Sequence, residues 1–100
     1  MGAADTIEYT LVHAILAHAE ADQNLIILSD DGRVIVDPAT AAGIGEHRAA
    51  YNANVLHLFA EGFLVRGLVG EPNGWPLVLS DVGAAVVNRK AAVPHTVVAR

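Results

Sequence analysis

Glycine and proline divide residues 38–88 into a fixed order of elements, because each tends to stop a helix or a strand where it stands. Glu46–Glu61 contains neither, and it sets Tyr51, Val55, Leu58 and Phe59 at helical spacing. It therefore reads as one long helix, with Gly62 just past its end. Ahead of it Asp37-Pro38 opens a short helix, since the aspartate can accept from first-turn N–H groups and a proline at the first helical position has no donor to lose. Gly43-Ile44-Gly45 then interrupts that helix with a tight turn. Behind the long helix, Phe63–Val69 and Trp75–Leu79 read as two strands meeting at Asn73-Gly74, the strongest hairpin signal in the chain. Pro76 confines the second strand to a sheet edge. Ser80 caps a last helix that runs through Val87 toward Arg89-Lys90.

The first third forms its own units. Asp5, with Glu8 three residues on, makes a capping box at the start of a helix. Ile7, Leu11, Ala14, Ile15 and His18 share one face of it, widened by Val12, Leu16 and Ala19. The helix fades at Asp22–Asn24. Leu25–Leu28 and Val34–Val36 then read as short strands around the turn Ser29-Asp30-Asp31-Gly32. The chain is thus one domain: an N-terminal helix and hairpin over 1–37, a helix pair over 38–62, a hairpin over 63–79, and a C-terminal helix and tail over 80–100.

At 100 residues the core is modest, and 53% hydrophobic against 17% charged residues leaves apolar surface to cover. The expectation is a homodimer or a protein partner, with the first helix and the tail Val93–Ala99 as the seam. There is no cysteine, which excludes disulfides and thiolate metal sites and suits a reducing compartment. The chain lacks a signal-peptide pattern and an apolar run of about eighteen residues, so the expected location is cytoplasmic, without a membrane partner. The net charge of -5 is uneven. Residues 1–44 carry -6 and residues 45–100 carry +1, so a surface facing phosphate belongs to the second half.

Leu56-His57-Leu58-Phe59-Ala60-Glu61-Gly62-Phe63-Leu64-Val65-Arg66 resembles the end of a recognition helix running into the first wing strand of winged helix-turn-helix regulators of the MarR and PadR kind. Trp75–Ala85 is similar to their second wing strand followed by the leucine, hydroxyl residue, two spacers and glycine that open the next helix. The resemblance covers residues 38–88. It implies an α+β winged helix-turn-helix domain and a small DNA-binding transcriptional regulator. In that reading His47, Arg48 and Asn52 approach base edges of double-stranded DNA, where arginine and asparagine can pair bidentately with guanine and adenine. Arg66, Asn73, Arg89 and Lys90 approach phosphates. A rival reading keeps the scaffold and changes the partner. The expected hairpin tip Glu71-Pro72-Asn73-Gly74 has no arginine or lysine, and the acidic, apolar composition suits a protein–protein interaction module, a subunit or phage-type modulator that does not bind DNA.

Other chemistries find little support. His13 and His18 are five apart on one helix and point in different directions, while His47 and His57 are roughly 15 Å apart along a helix axis. No metal site or cofactor is expected. Ser29 and Ser80 are accounted for by a turn and a cap, so no nucleophile stands beside a histidine and the chain does not read as an enzyme. His95 reads as solvated, and Tyr51 as a core residue whose hydroxyl reaches the surface.

Overall fold

The computed structural model describes residues 3–21, 26–70 and 72–89. The chain is α+β, in the order α1 (Ala3–Ala21), β1 (Ile26–Ser29), β2 (Val34–Val36), α2 (Pro38–Ile44), a 3-10 turn (Gly45–His47), α3 (Arg48–Ala60), β3 (Leu64–Arg66), β4 (Gly74–Leu79) and α4 (Asp81–Val87). The strands form one antiparallel sheet in the order β2-β1-β4-β3.

Helix α1 begins at Ala3, so Asp5 lies inside the first turn and not at the predicted cap. The helix packs on α3, β4 and α4, which centres its buried stripe on Val12, Ile15, Leu16 and Ala19. Leu11, Ala14 and His18, predicted near the middle of that stripe, form its half-buried flank. The β1–β2 turn is stitched through one residue. The Arg33 N–H donates to the Ser29 hydroxyl at 2.8 Å, that hydroxyl donates to Asp31, and Gly32 closes the reversal at φ 84°. The Ser29 hydroxyl, then Arg33, hold the Asp31 carboxyl below the usual carboxylate range.

Asp37 caps α2 as the sequence predicts, accepting from the Thr40 N–H at 3.2 Å and the Thr40 hydroxyl at 2.5 Å. These bonds, the hydroxyl's first, lower its pKa. Gly43 does not interrupt the helix. The reversal is made at Gly45, with φ 56°, and the 3-10 turn delays α3 to Arg48. Helix α3 ends at Gly62, with φ 84°, in a Schellman motif: Phe63 N–H to Leu58 O at 2.9 Å and Gly62 N–H to Phe59 O at 3.2 Å.

The second hairpin departs most from expectation. Strand β3 stops at Arg66, not Val69, and after one further bond from Gly67 N–H to Pro76 O at 2.8 Å the chain leaves the ladder. Asn73-Gly74 is not a two-residue turn: Pro72 and Asn73 are turn residues, and Gly74 already belongs to β4. Gly74 opens β4 opposite Ser29, with φ 152°, and a Cβ on it would lie 2.2 Å from the Leu28 carbonyl oxygen. Bare backbone is what lets β4 enter beside β1, so β4 is a central strand and the predicted edge position is wrong. Pro76 is tolerated there because a strand residue aims its N–H and C=O at the same neighbour. Its carbonyl faces Gly67, past the last β3–β4 pair Arg66–Leu77, where β3 has ended. Ser80 caps α4 by accepting from Gly83 N–H at 3.1 Å, and its hydroxyl donates to Gly62 O at 2.5 Å. Lys90 and the tail, with the dimer seam predicted on it, lie outside the described residues.

Candidate functional site

Helix α3 turns Tyr51, Asn54, Val55 and Leu58 to the core, with Asn54 held by its Nδ2–H to Ala50 O at 2.8 Å. At about 100° per residue, the direction opposite this stripe is occupied by Ala49, Ala53, Leu56 and Ala60. Ala49, Leu56 and Ala60 are exposed and Ala53 half-buried. The outward face is therefore small and apolar. His47, Arg48 and Asn52, expected to approach base edges, do not form it. Arg48 and Asn52 lie on one flank and His57 on the other.

Arg48 is occupied on that flank. Its Nε–H donates to Asn52 Oδ1 at 3.0 Å, and Nη2–H donates to the Val34 carbonyl of β2 at 3.1 Å. Edge strand β2 would otherwise present this carbonyl to solvent, so the guanidinium both braces α3 on the hairpin and covers a sheet edge. His47 precedes α3, half-exposed and 4.0 Å from Glu46 Oε1. The structure thus brings His47, Arg48 and Asn52 together at one end of α3.

The other predicted contacts are dispersed. Arg66 lies 5.1 Å from the Phe59 ring centroid, and Phe59 is eleven residues beyond Arg48, roughly 16 Å along the helix. Asn73 is exposed beside the start of β4, next to the β1–β2 turn. Arg89 follows the Asn88 cap of α4 with φ 61° and is exposed. Cations therefore stand at both ends of α3 with no charged side chain on the face between.

The loop between β3 and β4 presents a second apolar feature. Leu68 is fully exposed and Val69 75% exposed, and Val65 and Trp75, on the two strands that the loop joins, are 39% and 37% exposed. Gly70 lies against the Trp75 indole, where a Cβ would stand 3.3 Å from the ring. Hydrophobicity at this tip is not disguised by folding, and no sequence signal beyond composition marked it.

A cavity of about 340 Å3 opens between α1, α2 and the start of α3. Here His18 Nδ1 and the Tyr51 hydroxyl are 2.9 Å apart, a pairing 33 residues apart in sequence that periodicity could not reveal. Tyr51 is completely buried, so its hydroxyl meets a side chain and not the surface. Burial pushes its pKa up to about 12, with Arg48 opposing and Asp37 adding to the shift. Among the described residues no group of three or more His, Asp or Glu is placed to hold a metal, and no helix is long and apolar enough to cross a membrane.

No family model, curated protein or solved structure matches this chain.

Proposed function

We propose that this domain is a winged helix-turn-helix scaffold used as a protein-interaction module. Support for the scaffold comes from the sequence of elements and from the order β1-β4-β3. β1, the first of the two strands ahead of the α2–α3 pair, lies against β4, the second strand of the hairpin that follows it. The observation that carries the function is the outward face of α3. Ala49, Ala53, Leu56 and Ala60 offer no donor or acceptor to a base edge, whereas they suit close packing against an apolar surface. The exposed Leu68 and Val69 extend the same chemistry. The partner it fits is a protein surface that is apolar at its centre. The domain acts by binding, not catalysis, in the cytoplasm. The Ser29 and Ser80 hydroxyls are each engaged as both donor and acceptor.

DNA binding is the second reading, favoured by the scaffold and by His47, Arg48 and Asn52 at the start of α3. It would require Arg48 to exchange an intramolecular carbonyl for a base or phosphate. A photo-crosslinking residue at Leu56 or Leu68, in the full chain in its own cells, separates the two. A protein adduct of defined mass that disappears with Ala49→Glu plus Ala53→Glu supports the first reading. A nuclease-sensitive adduct, with duplex affinity that falls steeply with salt, replaces it with the second. Absence of any adduct from folded protein overturns both.

A further inference from the structure

The cavity beside α1 is untouched by the function proposed above and does not depend on it. Leu11, Ala14 and Ile44 make its floor apolar, and the exposed Gly43 and His47 stand at its mouth. His18 and Tyr51 supply its polar wall. Among the described residues the Tyr51 hydroxyl has one acceptor, His18 Nδ1. A buried O–H without an acceptor is strongly disfavoured, so the tyrosine donates to Nδ1 and the imidazole hydrogen is fixed on Nε2. Burial keeps the hydroxyl protonated, which holds that tautomer in place. The Thr40 hydroxyl, also on the wall, already donates to Asp37. Arg48 and Asp37 act on Tyr51 with opposite sign, so the nearby charges do not select an ion, and the mainly apolar lining makes any charged group costly to bring in.

We infer that this cavity binds a small, neutral, mainly apolar molecule carrying one carbonyl-type acceptor, which receives the His18 Nε2–H. Its volume of about 340 Å3 is at the small end of the range for ligand sites, roughly 300–1,000 Å3. The His18–Tyr51 bond gives the donor a fixed direction, and the apolar floor supplies the remaining contact. Helix α2 forms one wall and carries a glycine at the mouth, where a side chain would narrow the entrance.

The probes are acetophenone, ethylbenzene as its match without an acceptor, and benzoate as an anionic analogue, titrated into the full chain and followed by NMR at the His18 ring and the Leu11 and Ile44 methyls. Acetophenone should shift these signals saturably, ethylbenzene should bind roughly three- to tenfold more weakly, and benzoate should also bind more weakly than acetophenone. Gly43→Leu should remove binding while leaving the unfolding midpoint unchanged or raised, because an added Cβ there meets nothing within 4 Å and the position is helical. Three results would each overturn the inference: no saturable shift with acetophenone in folded protein, ethylbenzene or benzoate binding as tightly as acetophenone, or a folded Gly43→Leu variant that binds like the wild type.

Discussion

Gly43 and Gly83 allow one substitution to be made at two helical positions where the structure gives opposite signs. Alanine in place of glycine favours a helix by roughly 0.5–1 kcal/mol. At Gly43 the added Cβ meets nothing within 4 Å, so Gly43→Ala should stabilise the domain by up to about 1 kcal/mol. At Gly83 the Cβ would lie 2.2 Å from the Phe63 carbonyl oxygen and 3.2 Å from a Leu79 methyl. A carbon needs roughly 3.3 Å from a carbonyl oxygen, so α4 must retreat by about 1 Å. That retreat breaks the Ser80 N–H bond to Phe63 O, now 3.2 Å, and the Ser80 hydroxyl bond to Gly62 O, now 2.5 Å. It also loosens Val86, which is almost fully buried. Two hydrogen bonds at about 1 kcal/mol each, with about 1 kcal/mol of lost packing, outweigh the gain in helix propensity and leave Gly83→Ala about 2 kcal/mol less stable. Urea unfolding read by Trp75 fluorescence and far-UV circular dichroism measures both variants. With a slope on the order of 1 kcal/mol/M the Gly83→Ala midpoint should fall by about 2 M, at unchanged slope. A Gly83→Ala protein as stable as the wild type, or a Gly43→Ala protein that loses more than about 1 kcal/mol, would refute the close-approach argument.

Three other outcomes follow from the same geometry. Arg48→Ala should cost about 1–2 kcal/mol and speed amide exchange along β2, because the Val34 carbonyl loses its donor; a neutral result in urea would remove the bracing role. Tyr51 has a folded pKa of about 12 against 10.0 unfolded, so its contribution is fully present below pH 10 and lost as pH rises toward 12. The loss should be on the order of 2 kcal/mol, visible as a falling urea midpoint that Tyr51→Phe does not show; equal slopes for both proteins would contradict it. Leu68→Ser plus Val69→Ser should change stability by less than about 0.5 kcal/mol while weakening any cross-linked adduct formed through α3. A large stability loss would place these side chains in the fold and not at a contact surface.

The parts of the fold legible in the sequence are those whose physics is local. Asp37 before Pro38, Ser80 before α4 and Gly62 after α3 each satisfy backbone groups within a few residues, and each stands where the sequence places it. The errors share a different cause. Asn73-Gly74 is a good turn by local rules, but Gly74 is needed for close passage of β4 beside Leu28, a constraint set more than forty residues away. Pro76 is an edge signal only where a neighbour still has a ladder to share, and the end of β3 at Arg66 removes that condition. His18 and Tyr51 belong to different helices, so neither periodicity links them.

The candidate site illustrates why polar residues off a helix's core stripe are weak evidence for recognition. An apolar stripe on α3 determines only the direction of the core, and everything else is left as a wide arc. Within that arc the flanks border neighbouring elements while the centre faces solvent or a partner. Arg48 and Asn52 occupy the flank next to β2, and an edge strand with an unpaired carbonyl recruits the nearest long donor. Their types, which suggested base edges, are explained by a demand internal to the fold. The central arc instead holds three alanines and a leucine. A duplex reader gains discrimination from donors and acceptors placed there, at roughly 1–3 kcal/mol for each good pair. This helix has none in that arc, while an apolar partner could approach its backbone closely. Substituting Ala53→Gln therefore makes a decisive reversal test. It adds the missing hydrogen-bonding group at little structural cost on a half-buried helical position. It should weaken partner binding by at least roughly fivefold, the size of about 1 kcal/mol of lost packing. If the Gln variant bound its partner unchanged, the outward face of α3 would not be the contact surface.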